Sequence, residues 1–164
     1  MKTNSIRISI IVTFAALYAV GVIFLAPISY SFFQIRLADA LLPLSMIFGI
    51  PSAIGFSLGC IVSNVYGGLG LVDIIGGTVA NFLACTLAWY IARKGTFGRR
   101  FVGSIIQTMI ITVIVGGYLW IIFEVPIEFS IAGVFVGSLI AINLLGFAIQ
   151  EFLRKNKPIS NYAE

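Results

Sequence analysis

The sequence predicts an all-α integral membrane bundle of six transmembrane helices, with both termini cytoplasmic. Three observations predict it. The chain is 60% hydrophobic and only 10% charged, whereas a soluble domain carries roughly 25% charged residues. Its apolar residues fall into long runs separated by Pro, Gly or charged residues, and its mean hydropathy is +1.10. Nine of its ten Lys and Arg residues gather in three segments. At 164 residues the chain reads as a single transmembrane domain over residues 1–164.

The first span runs from about Ile8 to Ala26. It is too long for the h-region of a cleavable signal, which holds about 7–15 residues. Ala15 and Ala19 lie one turn apart on one face, a spacing that lets another helix approach closely, whether inside the chain or from a partner. Pro27 to Phe33 reads as an aromatic loop near a headgroup boundary. The second span covers about Arg36 to Gly49 and contains Pro43; the third covers about Pro51 to Tyr66. Both fall short of the roughly 20 residues that a perpendicular span needs. Gly49-Ile50-Pro51 marks the turn between them, because the residue before a proline avoids the helical region. Gly55 and Gly59 form a close-packing G-x-x-x-G.

Gly67-Gly68-Leu69-Gly70 is a tight turn without the lysine of a phosphate loop. The fourth span runs from about Leu71 to Ala92, the fifth from about Phe101 to Phe123 and the sixth from about Ser130 to Phe152. A basic loop, Arg93 to Arg100, joins the fourth and fifth. An acidic connection, Glu124 to Glu128, joins the fifth and sixth, and Gly133 and Gly137 are again at packing distance. Lys2 and Arg7 lie in the N-terminal tail, Arg93, Lys94, Arg99 and Arg100 in the basic loop, and Arg154, Lys155 and Lys157 in the C-terminal tail. The positive-inside rule places all three segments in the cytoplasm. The region between the first and fourth spans then needs an even number of crossings, which the second and third supply.

Arg36 is the one basic residue left outside. In a helix it shares a face with Asp39, three residues on. A self-neutralising pair at the membrane interface would account for those two alone. The topology, however, brings Gln34, Arg36 and Asp39, at the start of the second span, to the same outer layer as Asn64 and Asp73. Tyr30, Phe32, Phe33 and Tyr66 lie beside them. Ionisable groups at membrane depth are costly and usually mark a site. This set suits a flat, polar, nitrogen-rich molecule, with aromatics on its face and carboxylates accepting from adjacent N–H groups.

The chain has no histidine, which removes the commonest general base and metal ligand. Cys60 and Cys85 sit inside apolar runs and read as packing thiols. No Walker A motif, Ser-His-Asp set or metal-ligand pattern is present, so no catalytic residue, metal or cofactor is expected, and any ATP-driven work falls to another chain. The net charge of +4 is accounted for by topology and calls for no nucleic acid.

The order of motifs resembles the queuosine-precursor (QueT) family of S components of energy-coupling factor (ECF) transporters. The resemblance rests on Gln34-Ile35-Arg36-Leu37-Ala38-Asp39-Ala40-Leu41, Gly59-Cys60-Ile61-Val62-Ser63-Asn64 and Asp73-Ile74-Ile75-Gly76-Gly77-Thr78-Val79-Ala80, and covers roughly Ile8 to Leu87. Family members show a similar F-R-x-x-E-A-L stretch; here Ile35 stands where an aromatic is usual and Asp39 where Glu is usual. The resemblance implies a membrane subunit that captures a queuosine precursor, a deazaguanine-like base, from outside. It also implies docking on a transmembrane coupling subunit driven by two ATPase subunits, with Ala15 and Ala19 matching the motif that meets the coupling subunit. An S component for another vitamin, or a non-transport membrane assembly subunit, are the alternative readings.

Overall fold

The structure, a computed structural model, describes residues 2–30, 36–93 and 95–156. Among them every regular element is helical. Helix α1 spans Lys2–Phe24 and α2 spans Ala26–Ser29. A 3-10 helix, Leu37–Leu44, runs into α3, Ser45–Phe48. Then come α4, Ile50–Gly67, α5, Leu71–Ala92, and α6, Phe97–Phe123. The last rod has three parts: α7, Ile127–Ser138, a π-helical segment, Leu139–Gly146, and α8, Phe147–Asn156.

Among the described residues five helices are long and apolar enough to cross a membrane: Asn4–Phe24, Ile50–Gly67, Leu71–Ala92, Phe97–Phe123 and Ile127–Lys155. The expected second span is not a sixth of this kind. Residues Leu37–Phe48 form a short apolar element instead. The stretch expected as a loop after Pro27 also begins as helix, and Phe97–Arg100, expected in the basic loop, form the first turn of α6. There the Thr96 hydroxyl accepts from the Arg99 N–H.

Packing contacts give the direction of each pass. Gly55 and Gly59 of α4 lie against the backbone of Ile11 and Ala15, so α1 and α4 run parallel. The chain between them must therefore return through the bundle. It does so with Ala38 beside Gly21 and the Phe48 ring tilted against that of Phe14, with ring centroids 5.0 Å apart. The helices α4, α5, α6 and the last rod alternate in direction, as the pairs Cys60–Gly77, Ala88–Gly103 and Gly116–Ile131 require. Both ends of the described chain thus lie at one end of the bundle.

The returning segment is the most enclosed part of the fold. Ala38, Asp39, Ala40 and every residue from Leu42 to Ile47 are buried. It reaches from Arg36, beside Asp73, to Gly49, beside Trp89. On α5 that interval is 16 residues, about 24 Å at roughly 1.5 Å per residue. At roughly 2.0 Å of rise per residue against about 1.5 Å in an α-helix, the 3-10 winding lets a short segment reach further along α5. Pro43, which breaks an α-helix by losing its N–H and crowding the preceding turn, is accommodated in this tighter winding. Gly49 then reverses the chain at φ 69°, ψ −156°, a conformation open to glycine.

Large apolar side chains point outward toward lipid: Val20, Phe24, Ile75, Val113 and Ile121 are all more than half exposed. The interior is built from small and polar residues around Tyr18, Leu42 and Phe56. With no hydrophobic drive between helices in lipid, close backbone approach and interhelical hydrogen bonds must hold the bundle. A side chain at Gly59 would start 2.6 Å from the Ala15 carbonyl oxygen, so this crossing admits glycine alone. On the other side of the bundle Gln107 donates to the Leu42 carbonyl and to Ser45, at 3.0 and 3.2 Å. Thr108 donates to Asn143 in the π-helical segment, and Asn143 to Ser104.

Candidate functional site

The end of the bundle opposite the two chain ends carries a buried charged cluster. Arg36 precedes the 3-10 helix, Asp39 lies in its first turn, Asn64 in the last turn of α4 and Asp73 in the first turn of α5. All four are buried, Asn64 and Asp73 completely. Arg36 Nη2 lies 3.3 Å from Asp73 Oδ1, and the Tyr118 hydroxyl donates to the same oxygen at 2.7 Å. Asn64 Nδ2 donates to the Asp73 backbone carbonyl at 2.7 Å, which ties α4 to α5. Arg36 Nη1 lies 3.9 Å from Cys60 Sγ.

Asp39 is held separately. The Tyr18 hydroxyl of α1 donates to its Oδ1 at 2.7 Å. So Arg36 and Asp39 do not neutralise each other as an interface pair: the guanidinium turns to α5 and the carboxylate to α1. One guanidinium against two carboxylates leaves the cluster with a formal negative charge. Two of its polar atoms have no hydrogen-bond partner among the described residues, Arg36 Nε and Asn64 Oδ1, while the Asn81 side chain lies against the Tyr18 hydroxyl.

Missing side chains make this arrangement possible. A Cβ at Gly76 would start 2.5 Å from the Tyr118 ring. One at Gly77 would start 2.7 Å from Asn64 Nδ2 and 3.1 Å from Cys60 Sγ. The adjacent glycines therefore let Tyr118, Asn64 and Arg36 converge over the first two turns of α5. Tyr30 closes the side of the cluster: its hydroxyl donates to the Ser63 carbonyl, and Arg36 lies 6.0 Å from its ring centroid. Burial raises the Tyr30 phenol above its ordinary pKa, so it stays a donor.

Of the expected site residues, the fold brings together Arg36, Asp39, Asn64 and Asp73. Tyr66, by contrast, is 64% exposed on the outside of α4. Gln34, Phe32 and Phe33 lie outside the described residues. Sequence reading missed Tyr18, Tyr118 and the sulfur of Cys60. Tyr18 and Tyr118 are hydroxyl-bearing residues near the same ends of their helices as the cluster, a signal that was available. The thiols of Cys60 and Cys85 are both free and buried, as expected.

The small-residue pair of α1 is used within the chain. Ala19 is only 8% exposed, and the Ala15 backbone meets Gly55 and Gly59. The open face of α1 carries Val12, Ala16, Val20 and Phe24. No group of three or more His, Cys, Asp or Glu residues able to hold a metal occurs among the described residues.

A family model described as QueT transporter matches residues 8–155. No curated protein and no solved structure matches the chain.

Proposed function

The chain belongs to the QueT transporter family, and from that premise we propose that it is the substrate-binding S component of an ECF-type uptake transporter. It is a multi-pass membrane protein of a transporter family rather than an enzyme family. In the proposed reading it captures a queuosine precursor, a deazaguanine-like base, from outside. A transmembrane coupling subunit and two ATPase subunits then drive import. Both chain ends face the cytoplasm, which sets the charged cluster at the outer side.

The observation that carries this reading is the polar cluster itself: among the described residues the other buried charge, Arg100, is matched by Glu151 at the opposite end of the bundle, whereas the cluster holds one cation against two carboxylates. Asp73 is spoken for by Arg36 and Tyr118, so Asp39 is the carboxylate assigned to the ligand. It accepts from adjacent ring and exocyclic N–H groups. The free Asn64 Oδ1 accepts a further N–H, and the free Arg36 Nε donates to a carbonyl. A ligand of this kind supplies partners to buried groups whose lack of one costs about 1–3 kcal/mol each. The formal negative charge favours a ligand that is cationic. Gln34, Phe32 and Phe33 complete the proposed edge and cover, whereas Tyr66, exposed on the outside of α4, is left out of it.

Ligand capture is tested by mass spectrometry of the small molecule that co-purifies with the protein, and then by titration of that molecule into Asp39→Asn. The substitution keeps the size but turns an acceptor into a donor facing donors. Affinity should fall about tenfold to a hundredfold, since roughly 1.4 kcal/mol is one decade. Glu124→Gln, in the outer loop away from the cluster, serves as the control. Parent-like binding by folded Asp39→Asn would remove Asp39 from the site. The absence of any deazaguanine-like ligand would favour an S component for another vitamin, and no small-molecule binding at all an assembly subunit.

A further inference from the structure

The end of the bundle that carries the chain ends holds a second polar feature, which the transport reading leaves unused. A groove of about 470 Å³ opens between the C-terminal end of α5 and the first turns of α6. It is lined by Tyr90, Ile91, Arg93, Gly98, Arg99 and Val102. That volume lies within the roughly 300–1,000 Å³ usual for small-molecule sites. We propose that this groove binds the headgroup of an anionic phospholipid, with Arg93 and Arg99 on the phosphate and Ile91 and Val102 against the acyl chains.

Four features point to that occupant. First, Arg93 lies over the Tyr90 ring at 4.3 Å to the centroid. A side chain already laid against a ring has less freedom to lose on binding. Second, the two arginines have no counter-charge among the described residues. Among the described residues Glu151 is the one carboxylate at this end, and Arg100 engages both its oxygens at 2.5 and 2.9 Å. Neither Arg93 nor Arg99 forms an ion pair among the described residues. Third, Gly98 leaves the middle of the groove open, because a Cβ there would meet nothing within 4 Å.

The fourth feature separates a lipid from a soluble anion. The groove joins two cations to an apolar wall of Ile91 and Val102, Val102 being 48% exposed, and Leu87, 44% exposed, lies one turn before Ile91 on α5. A free phosphate would satisfy the arginines and leave the wall bare. An amphiphile with an anionic head fills both. Guanidinium groups suit phosphate oxygens through paired N–H donors, and basic residues at a membrane surface gain from anionic lipid.

The test is native mass spectrometry of the full chain from micelles holding equimolar phosphatidylglycerol and phosphatidylcholine. The parent should retain phosphatidylglycerol about thirtyfold over phosphatidylcholine, the scale expected for two basic contacts. Arg93→Gln/Arg99→Gln should bring the ratio near one. Arg93→Lys/Arg99→Lys, which keeps the charge, should retain most of the preference, and Arg154→Gln all of it. Each variant is first checked for parent-like thermal unfolding in phosphatidylcholine. Equal retention of both lipids by the parent overturns the proposal, and so does a preference that survives in the Gln pair or is lost equally in Arg154→Gln. Displacement of the lipid by equimolar glycerol phosphate overturns it in favour of a soluble anion. Measuring lipid in protein free of transport ligand keeps this outcome separate from that of the transport reading.

Discussion

Asp73→Asn should destabilise the ligand-free protein far more than it disturbs its shape. Asp73 is fully buried, and its carboxylate faces Arg36, itself 5% exposed, at 3.3 Å. The amide keeps an oxygen for the Tyr118 hydroxyl, so that 2.7 Å contact survives. What is lost is the counter-charge. Removing one partner of a buried pair costs about 3–5 kcal/mol, because the other charge stays desolvated and unpaired. For a chain of this size the loss corresponds to a fall in Tm of roughly 6–20 °C. Arg36→Met alone should cost a similar amount by stranding the carboxylate. The pair Arg36→Met/Asp73→Asn removes both charges and should recover at least about 2 kcal/mol relative to the sum of the single losses. The assay is thermal unfolding in one detergent without ligand, across the four members of the cycle. Additive losses, or an Asp73→Asn protein that unfolds within about 2 °C of the parent, would refute the reasoning that this ion pair holds α5 to the 3-10 helix.

Three other outcomes follow from the same geometry. Gly59→Ala should lower stability by about 1–3 kcal/mol or more, since its Cβ would start 2.6 Å from the Ala15 carbonyl oxygen; thermal unfolding checks it, and Gly117→Ala, where a Cβ meets nothing within 4 Å, should cost much less. Cysteines at Thr96 and Pro126, in a background lacking Cys60 and Cys85, should be labelled by an impermeant reagent from opposite sides of the membrane, with Thr96 cytoplasmic. On α1, Ala19→Leu should destabilise the isolated chain because Ala19 is enclosed, whereas Ala16→Leu on the open face should leave stability and ligand affinity intact and weaken co-purification with the coupling subunit proposed above.

Much of the fold was legible because a bilayer imposes simple rules. Long apolar runs predicted the helices, and the bounds of α5 were read as found, from Leu71 to Ala92. The segment around Arg36 shows where such reading stopped. Its apolar residues and its length suggested a sixth ordinary span, but the structure winds it as a 3-10 helix running into a short α-helix, almost wholly enclosed by the bundle. Its packed partners, Asp73 near one end and Trp89 at the other, come from a helix far along the chain, so the sequence of the segment does not carry them. The last rod is similar. Its apolar run was plain, whereas its π-helical segment answers to Asn143 meeting Ser104 and Thr108 across the bundle.

The same division holds for the charged cluster. By itself the sequence determined that Arg36, Asp39, Asn64 and Asp73 share one end of the bundle, because helix direction and span length place every residue along the membrane normal. Which of them touch was decided by rotation about each helix axis and by the close approaches at Gly76 and Gly77. That is why Arg36 pairs with Asp73 rather than with its neighbour Asp39, why Tyr18 and Tyr118 enter as the carboxylates' donors, and why Tyr66, at the same depth, faces outward. Depth is a one-dimensional property that hydropathy and charge encode directly. Azimuth depends on how all the helices pack at once, and no single stretch of the chain carries it.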